Sequence, residues 1–152
     1  MTTEDILKLE PSPELDACIA EIVYNYSVIW LNTGLGFYPF IWEKEAQKGS
    51  NRYHMLVGGH WITGISRNGE PVEIYGVVVP KYSDVVNNAW EIESEMNKKG
   101  WKIHLHRFGD GFNCYFHHPS QMKTTACSYS TSIAGAVSKA VLLANLEILA
   151  QI

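Results

Sequence analysis

Three histidines sit at alternating positions in two neighbouring segments, His104 and His106 in WKIHLHR and His117 in FNCYFHH. If the intervening Phe108, Gly109, Asp110 and Gly111 form a hairpin loop, Arg107 faces Phe112, Leu105 faces Cys114 and Ile103 faces Phe116. Side chains alternate with period two, so one face carries Trp101, Ile103, Leu105, Phe112, Cys114 and Phe116, and the other Lys102, His104, His106, Asn113, Tyr115 and His117. Imidazoles two residues apart on a strand stand about 7 Å apart, and three of them can ligate zinc in an open site. Histidine is equally ordinary on the polar face of an antiparallel sheet, so no metal is assigned. His104, His106, Tyr115 and His117 are kept as candidate ligand-binding residues.

A second set lies earlier in the chain. Between Tyr26 and Pro80 short apolar runs alternate with turn signals at 32–36, 49–51, 58–59 and 67–70, and SVIWL, YHMLV, HWITGIS and EIYGVVV are the strand candidates. This β-rich stretch, residues 30–79, holds Trp30, Phe37, Tyr38, Phe40, Trp42, Tyr53, Trp61 and Tyr75 together with Arg52, His54 and His60. Aromatic rings can stack a flat ligand and an arginine can pair with its phosphate, which makes Trp42, Arg52, His60 and Trp61 the candidates here. The competing reading is that a small β unit needs its aromatics for its own core.

Catalytic constellations are missing from the sequence. There is no Gly-x-Ser-x-Gly elbow, and no Gly-Lys-Ser or Gly-Lys-Thr follows the glycines near 34–36 or 58–59. Glu91, Glu93 and Glu95 read as a solvated helix face. Cys18, Cys114 and Cys127 lie far apart among apolar residues and read as buried thiols in a reducing compartment. The expectation is a protein without enzymatic activity or cofactor. With 12 Lys and Arg against 16 Asp and Glu and a formal net charge of -4, no basic patch attracts a phosphate backbone, and nucleic-acid binding is disfavoured. No signal peptide opens the chain and no apolar run reaches membrane-spanning length, so a cytoplasmic protein without membrane contact is expected.

These candidates need elements to hold them. At 152 residues and 46% hydrophobic composition the chain suits one domain over residues 1–152. Two leading helical segments are read, one capped by Thr2 or Thr3 and one by Ser12 with Pro13 at its first position. Residues 80–152 then spell helix, hairpin, third strand, helix. Ser83 is the expected cap of the first of these helices and Gly100 its terminator, with Val85, Val86, Ala89, Trp90, Ile92 and Met96 as its buried stripe. MKTTACS is the third strand. The last helix, from about Ser132 to Leu149 with Ser130 or Thr131 as cap, is apolar on most sides. Either the N-terminal helix covers its second side or another subunit does, which would make a homo-oligomer. The fold class is α+β, an antiparallel sheet of three or more strands sandwiched between helices with a β-rich excursion.

Helix, three antiparallel strands, helix is also the order of double-stranded RNA-binding domains, whose last helix meets phosphates with lysines at its start. STSIAGAVSKA offers only Lys139, well inside the helix.

ILKLEPSPELDACIAEIV, PKYSDVVNNAWEIESEM with GWKIHLHRFGDGFNCYF, and AVSKAVLLANLEIL together resemble the phage ABA-sandwich domain family, small proteins of bacteriophages and prophages. The resemblance spans residues 6–24 and 80–149. It implies helices around a sheet and transfers no catalytic residue. A phage setting, in the cytoplasm of an infected bacterium, implies a small binding protein that sequesters a nucleotide-type host immune signal. Alternatives are an inhibitor that binds a host protein, a structural accessory, and a duplex RNA-binding module.

Overall fold

The computed structural model describes residues 2–48, 56–118 and 125–150, without the side chains of 125–127 and 147–150. Two capped helices lead. In α1 (Thr3–Lys8) the Thr2 hydroxyl accepts from Asp5 N while the Asp5 carboxylate accepts from Thr2 N, and α2 (Pro13–Ile22) starts with Ser12 accepting from Leu15 N and proline at its first position. Four strands follow, β1 (Val28–Asn32), β2 (Phe37–Trp42), β3 (His60–Ser66) and β4 (Pro71–Val78), closed as a small antiparallel barrel in the order β1-β2-β4-β3. Its interior is Leu31, Phe40, Ile62 and Ile74, with Ile29, Trp42 and Val72 packed against them.

The strand β2 is not among the strands expected from the sequence, and Pro39 lies in its middle. Proline is tolerated there: the Pro39 carbonyl accepts from Val79 N at 3.0 Å, and the β2–β4 ladder proper begins one residue later, at Phe40 opposite Val78. Of the expected strand YHMLV, Tyr53 to Met55 lie outside the described residues, and Leu56 and Val57 form a bend and turn. Gly76 is where β4 crosses closest to β2; a Cβ there would collide with the Ile41 carbonyl oxygen.

The second β unit is a three-stranded antiparallel sheet, β5 (Lys102–Phe108), β6 (Gly111–His117) and β7 (Thr125–Ser130), in the order β5-β6-β7. Its register is the expected one, Arg107 opposite Phe112, Leu105 opposite Cys114 and Ile103 opposite Phe116. The loop is tighter than expected, since Phe108 pairs with Gly111 and only Gly109, at φ +59°, and Asp110 turn the corner. The third strand begins at Thr125; Lys123 and Thr124 lie outside the described residues.

Before the sheet runs α3 (Val86–Lys98). Gly100, at φ +90°, ends it in a Schellman motif: Gly100 N donates to Asn97 O and Trp101 N to Met96 O, both at 3.0 Å, with Trp101 and Met96 buried together. Its start corrects the sequence reading. The N-cap is Val85, without a side-chain cap, and Ser83 is instead fully buried against α2. The buried stripe also narrows to Ala89, Ile92 and Met96, because Val85, Val86 and Trp90 are exposed.

The last helix, α4 (Ile133–Ala150), has Ser132 as its cap, accepting from Gly135 N at 3.0 Å, rather than Ser130 or Thr131. It packs on β6 and β7 on one side and on α1, α2 and α3 on the others, and α2 in turn rests on β1 and β2. Among its described side chains the apolar residues from Ala134 to Ala144 are buried within one chain, with α1 and α2 on the side away from the sheet. Lys139 is buried within this packing, its ammonium donating to Leu7 O at 3.5 Å and Tyr129 O at 3.4 Å, so it presents no charge to a nucleic acid. The molecule is thus an α+β fold in which helices flank a three-stranded antiparallel sheet and also bear a four-stranded barrel. Among the described residues no helix is long and apolar enough to cross a membrane. Of the cysteines, Cys114 is buried as expected, Cys18 is only half-buried, and the side chain of Cys127 lies outside the described residues.

Candidate functional site

The end of α2 builds an aromatic face. Val23 N closes the helix on Ile19 O at 2.9 Å, and Asn25 then takes φ +56°, a left-handed conformation that asparagine tolerates better than most residues. Tyr26 N reaches back to Ala20 O at 3.0 Å. This reversal lays Tyr24 and Tyr26 over one another, ring centroids 5.5 Å apart and planes 6° from parallel. On the other side of Tyr24, Tyr82 stacks at 5.4 Å and 18°. The three rings form a column that runs from the core to solvent, Tyr82 being 3% exposed and Tyr26 39%.

The column lines an open cleft of about 780 Å³ whose other walls are Ile41 to Glu45, Leu56, Val57, Val77, Pro80 and Glu91. Trp42, at the end of β2, lies in it with the Lys44 ammonium 5.7 Å from its ring centroid. Glu43 Oε1 accepts from Leu56 N and fastens the opposite lip. Among the described residues, three carboxylates, Glu43, Glu45 and Glu91, against one lysine make the lining acidic. Burial, reinforced by Glu91 and Glu95, pushes the Tyr24 phenol far above the ordinary tyrosine range, and burial does the same for Tyr82. Both stay neutral at physiological pH, as hydrogen-bond donors and not as bases. Among the described residues the lining holds no histidine and no cysteine. It is equipped to stack a ring and hydrogen-bond to its edge.

The residues singled out from the sequence do not come together. Trp42 lines the cleft; Arg52 lies outside the described residues. His60 pairs with Gly76 at the start of β3 and is exposed. Trp61, next to it, meets Tyr75 edge-on at 5.7 Å, with the Lys48 ammonium 5.7 Å from its ring and paired to Glu73 at 2.7 Å. His104, His106, Tyr115 and His117 share the polar face of the three-stranded sheet as the register requires, and His106 meets Tyr115 edge-on at 5.7 Å. Among the described residues no three His, Cys, Asp or Glu side chains stand close enough to hold a metal ion. Of those among the described residues, Trp42 alone lines the cleft. Tyr24, Tyr26 and Tyr82 were missed; the signal available was the YNY pair bracketing an asparagine just past a helix end, a place where a left-handed residue folds neighbours together.

No protein-family model, no curated protein and no solved structure matches the chain.

Proposed function

We propose that this is a non-enzymatic binding protein whose cleft holds a flat heteroaromatic ring as the next member of the Tyr82–Tyr24–Tyr26 column. That column, with Trp42 beside it, carries the reading, since the exposed Tyr26 is already stacked on Tyr24, itself backed by the buried Tyr82, and is held before any ligand arrives. With a phage-like motif order, the ligand class that fits is a nucleotide-type signal that the protein sequesters without turning it over. The acidic lining favours ligands with few phosphates, a nucleoside or a singly charged nucleotide, with Lys44 the lysine on the cleft wall to meet the charge. A second reading is docking of a host protein, supported by the exposed Leu35, Phe37 and Ile65 around the end of the barrel where Asn32 pairs with both Phe37 and Ile65.

The test is intrinsic-fluorescence titration with adenosine, AMP, ADP-ribose and cyclic dinucleotides, followed by heat release and chromatography of what was bound. Saturable quenching and recovery of the intact compound are expected. Tyr26→Ala removes one stacking surface, worth about 1–3 kcal/mol, and weakens binding about 5- to 150-fold with little loss of stability. Leu31→Ala, inside the barrel, instead costs about 2–5 kcal/mol of stability. A changed product overturns the non-enzymatic reading. No quenching by any ring compound overturns the cleft and moves the search to the barrel end.

A further inference from the structure

A second cavity of about 250 Å³ lies on the other side of the chain segment 77–82, and it shares no lining residue with the aromatic cleft. The segment divides between them: Val77, Pro80 and Tyr82 line the cleft, while Val78, Val79 and Lys81 line the second cavity. The remaining wall is stiff and largely apolar, with Pro11 and Pro13 at the entry to α2 and Tyr38 and Pro39 of β2.

At the base of this chamber is Asp16, only 4% exposed. Its Oδ1 accepts from both Ser83 N and Ser83 Oγ, each at 2.7 Å. Its Oδ2 has no donor among the described residues, and it is not sealed from the cavity that the side chain lines. An accessible carboxylate oxygen with no protein donor, on a side chain otherwise almost wholly withdrawn from solvent, is left to take a donor from outside. Lys81 and Asp84 also line the cavity, and neither forms an ion pair within it, so the chain's own ammonium does not occupy the place. Two carboxylates against one lysine leave the chamber negative by one charge.

We infer that this chamber is a binding site for a small primary alkylammonium ion, its head on Asp16 Oδ2 and its short apolar body against the proline and valine wall. The volume, about eight times that of a water molecule in the liquid, suits a chain of a few carbons and excludes a large ring system. An alcohol of the same length would lack the charge that a desolvated carboxylate selects.

The test uses the ¹⁵N-labelled full chain titrated with n-butylammonium chloride, with n-butanol as the uncharged control at the same ionic strength. Saturable amide shifts confined to Ser12, Leu15, Asp16, Val79 and Ser83 are expected for the amine, and none for the alcohol. Asp16→Asn keeps an oxygen for Ser83 to donate to but loses the charge, and binding weakens by more than 10-fold. Val78→Trp obstructs the wall without touching Asp16 and also removes binding, which keeps the inference testable if the Asp16 variant fails to fold. Equal shifts from amine and alcohol, no saturable shift, or undiminished binding by either folded variant overturns it. Because the cleft and the chamber share no residue, failure here leaves the aromatic reading intact, and the reverse.

Discussion

Replacing Ser83 by alanine tests whether this buried serine joins two helices or merely starts one. Ser83 Oγ lies 2.7 Å from Asp16 Oδ1 and 3.3 Å from Ser12 O, and it accepts from Ser12 N at 3.0 Å. One hydroxyl has one proton, and the shorter, charge-assisted contact to Asp16 takes it. The alanine variant therefore loses a hydrogen bond to a charged group, about 1.5–3 kcal/mol, and an acceptor for Ser12 N, about 1 kcal/mol more. The expected loss is about 2–4 kcal/mol in a urea unfolding experiment, against about 1 kcal/mol for a lost helix cap. Because those ranges approach each other, the decisive assay is the double-mutant cycle with Asp16→Ala. If Ser83 acts through Asp16, the two losses fall short of additivity by about 1–3 kcal/mol. Additive losses, or a Ser83→Ala variant within about 0.5 kcal/mol of wild type, would refute the buried-node account.

Burial holds the Asp16 carboxyl above its ordinary value of 3.8; Asp84 adds to the rise, while the two Ser83 hydrogen bonds and Lys81 oppose it. The folded state then binds this proton more tightly than the unfolded chain, so the stability it contributes is complete below the unfolded value and lost as pH rises through the folded one. Unfolding free energy of wild type relative to Asp16→Asn is expected to fall across that window and level off above it; a difference that is flat or rises with pH contradicts the assignment. Gly76→Ala drives a Cβ into the Ile41 carbonyl oxygen, with Ile74 Cδ1 only 3.1 Å away, and should cost about 1–3 kcal/mol. Thermal unfolding measures it, and an unchanged midpoint would mean that β2 and β4 do not approach as closely as described.

The parts legible in the sequence were those set by neighbours along the chain. Period-two alternation on both sides of a glycine loop fixed the register from Lys102 to His117, and Gly100 announced the end of α3 because its φ of +90° is one that glycine enters cheaply. Misreadings arose where the deciding partner is distant. Ser83 sits before a helix as a capping serine would, and nothing local reveals that Asp16, 67 positions earlier, claims its proton. The β2 strand was missed; Pro39 lies inside its ladder with β1, opposite Trp30, and a proline inside an apolar run argues against a strand unless, as on the β4 side here, a neighbouring ladder starts beyond it. Tyr24 and Tyr82 are 58 residues apart and meet only because α2 and the segment after β4 converge on one wall. His104, His106 and His117 were placed on the right face of the right sheet, but face membership says nothing about a cavity.

The position of α4 also governs when this protein can finish folding. Lys139 donates to Leu7 O across 132 residues, and Ile6, Leu15 and Ile19 share one core with Val137, Val141 and Leu142. The β3–β4 hairpin and the β5–β6 hairpin join residues close in sequence and can form as they emerge during synthesis. The first two helices are synthesised before α4 and complete their packing only when it arrives. Until α4 has been made, Ile6, Leu15 and Ile19 lack the Val137, Val141 and Leu142 side of their core, so a nascent chain, or one shortened before α4, leaves part of that apolar stripe exposed, the form in which aggregation begins.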